Sequence, residues 1–271
     1  MTRHIFMISD GTGITAEALG NSLITQFDSI HFEKHTLPYI DTCAKALTVV
    51  QRINDCFNAT GIKPLLFMTL INTEIAALIK QSHSVSFDLF NTFLEPLEQE
   101  LGAKSSYTVG RTHGVVNNVS YTKRIEAIDY ALNHDDGIKT RGYAQADIIL
   151  IGVSRCGKTP SCLYMALHFG VLAANYPFTE DDLLNFTLPD LLKPYKAKLF
   201  GLTIDADRLQ QIRTERRPNS RYASREQCRR ELSEVQAMYH HENIPYLNST
   251  RFSIEEITTK IVAIAGLKRR F

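Results

Sequence analysis

Gly152-Val153-Ser154-Arg155-Cys156-Gly157-Lys158-Thr159 matches the spacing G-x-x-x-x-G-K-[ST] at every defined position. Each defined residue type has a chemical reason to be there. Glycines let the backbone curl until successive N–H groups point inward at phosphate oxygens. Lys158 supplies a cation for a transferring phosphoryl group, and the Thr159 hydroxyl is placed to ligate magnesium. A helix opening at the loop adds the positive end of its dipole. A glycine-rich turn with an ordinary exposed lysine is the plain alternative, and the surrounding sequence argues against it. Ile148-Ile149-Leu150-Ile151 reads as a buried strand running straight into the loop. Pro160 sits where the first turn of a helix tolerates proline, and the apolar stretch Leu163–Phe169 ends at Gly170.

Phosphoryl transfer at such a loop also needs a carboxylate to organise magnesium, usually at the end of a neighbouring apolar strand. Leu199-Phe200-Gly201-Leu202-Thr203-Ile204-Asp205 offers Asp205 for that role, with Asp207 a weaker candidate in the same turn. An aspartate that simply ends a strand and caps the next turn accounts for the same residues. Seven arginines (Arg213, Arg216, Arg217, Arg221, Arg225, Arg229, Arg230) crowd into Arg213–Arg230. Their planar guanidinium groups suit phosphate clamping, with Arg217 and Arg221 the accessory candidates, and a flexible strand-to-helix connection could close over a nucleotide. A solvated helix face with Glu215, Glu226 and Glu231 as partners is the competing reading. Asp135-Asp136-Gly137 is by default a tight turn after a helix, though its paired carboxylates could serve magnesium or proton transfer. Ser9-Asp10-Gly11-Thr12-Gly13 could present amides to an anion, and His113 is read as a structural loop histidine.

Alternating strand and helix patterns position these groups. Residues 4–8 read as a strand, followed by a helix through about Phe27. An extended piece near 31–37, a helix near 42–58 and a strand at Leu65–Leu70 continue the series, and Asn72–Gln81 and Asp88–Leu101 are helical. Residues 121–133 carry Ile125, Ile128 and Leu132 at helical spacing. A second series runs from the strand Ala146–Val153 through a helix from 159, a strand at Lys198–Ile204 and a long helix near 224–242. A short strand at Ile244–Leu247 precedes a last helix, opened by a Ser253/Glu256 capping box and stopped near Gly266. Such alternation favours parallel sheets covered on both faces. The fold class expected is α/β: an N-terminal α/β domain, 1–104, followed by a P-loop kinase-like α/β domain, 105–271, with a mostly parallel sheet and a connecting segment at 105–143. No internal repeat is visible.

Composition excludes several alternatives. The 271 residues carry a net charge of +1, with 44% hydrophobic and 22% charged residues, so no global charge pulls the chain toward nucleic acid or membrane surfaces. Cys43, Cys56, Cys156, Cys162 and Cys228 are scattered, without CxxC pairs, and suggest neither a disulfide framework nor a zinc site. The first residues lack the apolar stretch of a signal peptide, and no run is long enough to cross a bilayer. These features predict a cytoplasmic address with no nucleic-acid or membrane partner. A GTPase-like switch would need a base-reading Asn-Lys-x-Asp string, which the sequence does not contain. A P-loop kinase of a small metabolite stays open on these grounds.

Several phrases together resemble one family. They are Ile8-Ser9-Asp10-Gly11-Thr12 with Thr15-Ala16-Glu17, Arg111-Thr112-His113-Gly114, Arg124–Tyr130, His134-Asp135-Asp136-Gly137, the loop through Pro160, Ala173–Pro177, Leu199–Asp205 and Asn219–Ser224. Their order along the whole chain is similar to that in the regulatory proteins of phosphoenolpyruvate synthase and of pyruvate, phosphate dikinase, and more like the former. The resemblance implies a bifunctional enzyme. One activity phosphorylates a threonine of the target from ADP and inactivates it. The other removes that group onto inorganic phosphate, forming pyrophosphate. The implied partners are phosphoenolpyruvate synthase, ADP, AMP, phosphate and pyrophosphate, with Mg2+ as cofactor and a homodimer left open. Lys158 and Asp205 are then the catalytic pair, residues 152–159 the nucleotide site, and Thr159 with Asp205 the magnesium ligands.

Overall fold

The computed structural model describes residues 2–106, 108, 118–183 and 187–270, with the backbone alone for 118–120. Arg111-Thr112-His113-Gly114 lies outside the described residues. The chain forms two compact units, Met1–Gly114 and Val115–Phe271.

In the first unit β1 (Thr2–Ser9), α1 (Ile14–Ile24), β2 (His31–Leu37), α2 (Cys43–Thr60), β3 (Leu65–Thr69), α3 (Thr73–Lys80), β4 (Val85–Asp88) and α4 (Leu89–Leu101) alternate along the chain. All pairings are parallel, in the order β2-β1-β3-β4. A central parallel strand is covered on both faces and must be apolar on both. Ile5, Phe6, Met7 and Ile8 of β1 are all buried. Phe6 and Ile8 pack toward Val49 and Ile53 of α2, while Ile5 and Met7 pack toward Ala16 and Ile24 of α1. Local chemistry sets the helix limits. The Thr42 side chain accepts from the Lys45 amide to open α2, and Gly61 closes it at φ 68°. The Asn72 side chain accepts from the amides of Glu74 and Ile75 at the start of α3.

In the second unit α5 (Asn118–Asn133) precedes β5 (Ile148–Gly152), α6 (Lys158–Phe169), β6 (Ala173–Pro177), α7 (Glu180–Leu183), β7 (Leu199–Thr203), α8 (Ala206–Arg216), α9 (Arg225–His241), β8 (Tyr246–Asn248) and α10 (Ile254–Ile264). The sheet is again wholly parallel, in the order β6-β5-β7-β8. Each sheet therefore sets its first strand second in line and runs that strand into a glycine-containing loop that opens a helix. The core of this unit centres on β5, whose five residues are all buried. The capping box at Ser253 and Glu256 is present.

The α/β class and the parallel sheets agree with the sequence reading, and four elements differ. Two strands, β4 and β6, escape the pattern. Val85-Ser86-Phe87-Asp88 is too short to show a period, and Ala173-Ala174-Asn175 has little strand propensity. Helix α8 likewise lies in what reads as a flexible connection, because its eleven residues bury only Leu209 and Arg213. Helix α5 forms where predicted but turns another face inward. Ala127, Tyr130 and Ala131 are buried, whereas Ile125 and Leu132 of the expected stripe are exposed.

Candidate active site

The loop between β5 and α6 is built from unusual backbone. Arg155 sits at φ 78°, Gly157 at 96° and Gly152 at 153°. Left-handed residues within a turn make the amides converge on a concavity, the arrangement that binds anions. Gly152 has a second reason to be glycine. A Cβ there would lie 2.4 Å from the Leu202 carbonyl oxygen and 3.2 Å from the Tyr239 hydroxyl. The Lys158 ammonium lies inside the curl, 3.0 Å from the Gly152 carbonyl and 2.8 Å from that of Val153, and only 5% of the residue is exposed. Its third contact is the Cys156 sulfur at 3.8 Å, so its bonded partners are neutral groups and no carboxylate competes with an anion entering the loop.

The Thr159 hydroxyl donates to the Asp135 carboxylate at 2.8 Å. Asp135 lies in the turn after α5, and that turn is fastened to β6 through Asn175, which is fully buried. The Asn175 side-chain amide donates to Asp135 and its side-chain oxygen accepts from the Asp136 amide at 3.1 Å. Its backbone takes a further bond from Gly137 and gives one to His134. A buried Asn in an otherwise apolar strand must satisfy both ends of its amide, and here it does so by holding the acidic turn against Thr159. Burial first, and Asp135 second, push the thiol of Cys162 on α6 far up, so it stays an inert thiol. Asp136 is exposed, at φ 49°.

Asp205 sits at the end of β7, on the other side of β5 from β6. It is exposed, precedes α8, and its carboxylate accepts from the Asn248 side chain at 2.8 Å. With Asp207, Arg229 and Gln236 it lines an open groove of about 430 Å3. The Thr159 hydroxyl is thus bonded to the acidic turn at 135, and Asp205 to the β8 end of the sheet.

The arginine-rich stretch divides into two kinds of residue. Arg213 is 1% exposed. Its guanidinium donates to the Ser154 carbonyl of the loop at 3.3 Å, to the Tyr222 carbonyl at 3.1 Å and to the Glu231 carboxylate at 2.7 Å, and stacks 4.2 Å from the Tyr222 ring. The Tyr222 hydroxyl in turn lies 3.1 Å from Ser154 Oγ. Burial opposes the charge on Arg213, but Glu231 more than offsets it and holds the group above its ordinary value. The other arginines are exposed. Arg217 closes α8, Arg221 approaches Glu180 at 3.5 Å, and Arg225 pairs with Asp207 at 2.8 Å. The segment is therefore a helix, a short 3-10 turn at Arg221–Ala223 and a second helix, in place of a flexible connection.

Sequence reasoning missed the residues that fasten the loop. Ser249 donates from one hydroxyl to the carbonyls of Cys156 and Thr203, both at 3.0 Å. Tyr239 donates to the Ile151 carbonyl at 2.8 Å and covers Gly201, where a Cβ would lie 2.6 Å from its ring. Only Gly201, a glycine inside an apolar strand, hinted at such a close approach. All five cysteines are free. Among the described residues no helix is long and apolar enough to cross a membrane.

Residues 5–262 match the family model described as kinase/pyrophosphorylase. A Legionella pneumophila (strain Lens) protein named for the regulation of phosphoenolpyruvate synthase is 71% identical over 270 residues, covering 100% of both chains. Proteins with the same name from Hahella chejuensis and Pseudomonas aeruginosa (strain LESB58) are 57% identical over 269 residues and 56% identical over 271, each covering at least 99% of both chains. The chain that carries this loop belongs to the kinase/pyrophosphorylase family.

Proposed function

We propose that the chain is a bifunctional regulator of phosphoenolpyruvate synthase, acting on a threonine of that enzyme. In one direction the threonine oxygen attacks the β-phosphorus of ADP. The bond from that phosphorus to the bridging oxygen breaks, AMP leaves, and the hydroxyl proton is released. In the other, an oxygen of inorganic phosphate attacks the phosphothreonine phosphorus, and pyrophosphate forms as the threonine oxygen leaves and takes up a proton. The observation that carries this reading is the Lys158 ammonium inside the curled 152–159 loop, in a chain that shares 71% of its residues with a protein named for this regulation. One cradle can hold the ADP phosphates or inorganic phosphate. Catalysis then comes from positioning and charge neutralisation, with little covalent chemistry left to the protein.

Magnesium fits the oxygen donors present, since the Thr159 hydroxyl and the Asp135 carboxylate already lie 2.8 Å apart. When bound, the ion would neutralise charge on the transferring phosphoryl group. Thr159 and Asp135 would hold it, the hydrogen bond favouring Asp135 over Asp205. Asp136, exposed beside Asp135, is assigned the proton, and the exposed Arg217 and Arg221 the approach of the protein substrate. The test is incubation with purified phosphoenolpyruvate synthase and ADP, followed by synthase assay. Loss of synthase activity that inorganic phosphate restores supports the reading. Turnover of ADP without any protein acceptor would point to a small-metabolite kinase instead.

A further inference from the structure

His4 on β1 and Glu33 and His35 on β2 bring two imidazoles and a carboxylate together in the first unit. The parallel register sets His4 opposite Glu33 and Phe6 opposite His35, and alternation along each strand turns all four side chains to one face. His4 Nδ1 is 3.4 Å from His35 Nε2. The two Glu33 oxygens reach one ring nitrogen each, at 3.6 Å. Among the described residues no other group of three or more His, Cys, Asp or Glu side chains brings its ligating atoms together in this way. Ligands bound at about 2.1 Å to a tetrahedral ion stand roughly 3.4 Å from one another. The three side chains therefore already hold close to the spacing of one face of such a polyhedron. They are fixed by two paired strands, and the rings are four-fifths buried.

We propose that His4, Glu33 and His35 form a binding site for one divalent transition-metal ion of the zinc class, with a fourth position open to water. Two imidazoles and a carboxylate are a donor set that zinc accepts, whereas the hard cation magnesium prefers oxygen alone. Burial, and then the nearby Arg52, hold the His35 ring below its ordinary value, which favours the neutral form that ligates metals. Cys56 is not among the side chains whose ligating atoms converge there, so the set is two nitrogens and an oxygen. Arg52 acts as a gate. Its guanidinium can only donate, and it lies 3.3 Å from His35 Nδ1, so Nδ1 accepts and Nε2 carries the ring proton toward His4. A metal at Nε2 takes the place of that shared proton, the ring reprotonates at Nδ1, and Arg52 must withdraw.

The experiment is titration of the metal-stripped full chain, without nucleotide, with Zn2+ by calorimetry and with Co2+ by its visible d–d absorption. One ion per chain is expected. His4→Ala/His35→Ala should bind at least about tenfold more weakly, and Glu33→Gln, which preserves shape, should weaken binding also. Arg52→Ala should bind more tightly than the wild type. Circular dichroism checks folding, and Glu33→Gln carries the test if the histidine pair cannot be removed. Absence of stoichiometric binding by the wild type, or binding undiminished in the folded variants, overturns the proposal.

Discussion

Replacing Arg213 by Met should destabilise the second unit far more than any exposed arginine could. The residue is 1% exposed and its partner Glu231 8%. Methionine keeps the aliphatic bulk but removes the guanidinium. Glu231 then keeps a hydrogen bond from Gln227 at 2.8 Å but has no cation. Stranding one member of a buried pair costs roughly 3–5 kcal/mol. The surviving Gln227 bond puts this case at the lower end, about 3 kcal/mol. For a unit the size of Val115–Phe271 each kcal/mol moves the midpoint by about 2–4 °C, so Tm should fall by about 6–12 °C. Arg213→Met/Glu231→Leu, which removes both charges, should regain more than half of that loss. The Ser154 carbonyl loses its donor in both variants, so the apparent KM for nucleotide should stay raised in the double variant even as stability returns. Scanning calorimetry with and without ADP, followed by kinetics, measures both. A Tm change below about 2 °C in the single variant, or a double variant no more stable than the single, would refute the reading of Arg213 as a buried strut.

Lys158→Ala should abolish ADP-dependent and phosphate-dependent turnover together while the chain stays folded, because in the proposed site one ammonium holds either the ADP phosphates or inorganic phosphate; radiolabel transfer in each direction reads this. Asp135→Asn should weaken magnesium-dependent turnover by about two orders of magnitude, the scale on which removing one preorganised stabilising group acts. Asp205→Asn should leave the magnesium dependence near wild type, and magnesium titrations of both variants decide between the two carboxylates. Asp88→Ala should cost the first unit about 1 kcal/mol near neutral pH, since the carboxylate opens α4 by accepting from the Asn91 amide and pairs with Lys80 at 2.7 Å. Burial would raise the Asp88 pKa, but the bonds from Lys80 and Asn91 hold it below its usual value. Its contribution is therefore complete above the unfolded carboxylate range and is lost as pH falls through the lower folded value. The gap between variant and wild type in denaturant melts should narrow below about pH 4.

The loop itself was legible because its chemistry is local. Gly152, Gly157, Lys158 and Thr159 lie within eight consecutive residues, and the strand before them and the helix after them show in hydrophobic pattern alone. The carboxylate beside Thr159 was not, because Asp135 reaches it through a turn pinned to Asn175, 40 residues further on. Asp205 sits at the end of an apolar strand, where a metal-organising acid is commonly sought, but strand order decides which side of β5 a strand end faces. That order is not written in periodicity. Arg213 was visible as one of seven arginines and indistinguishable from the other six. Only the packing of α8 against α9 buries it against Glu231. Helix α5 was recognised by spacing, yet its smallest residues, Ala127 and Ala131, face inward in place of Ile125 and Leu132. Small residues allow close helix approach, and that preference overrode the apolar stripe.

The central claim is that one loop carries phosphoryl groups both onto and off a protein threonine. The most direct measurement starts from phosphoenolpyruvate synthase that this chain has phosphorylated from ADP, and follows it after ADP is removed and inorganic phosphate added. The account predicts release of pyrophosphate in amounts equal to the phosphothreonine lost, blocked by Lys158→Ala and competitively inhibited by ADP. Release of inorganic phosphate alone, or a phosphorylase activity that survives Lys158→Ala, would contradict it.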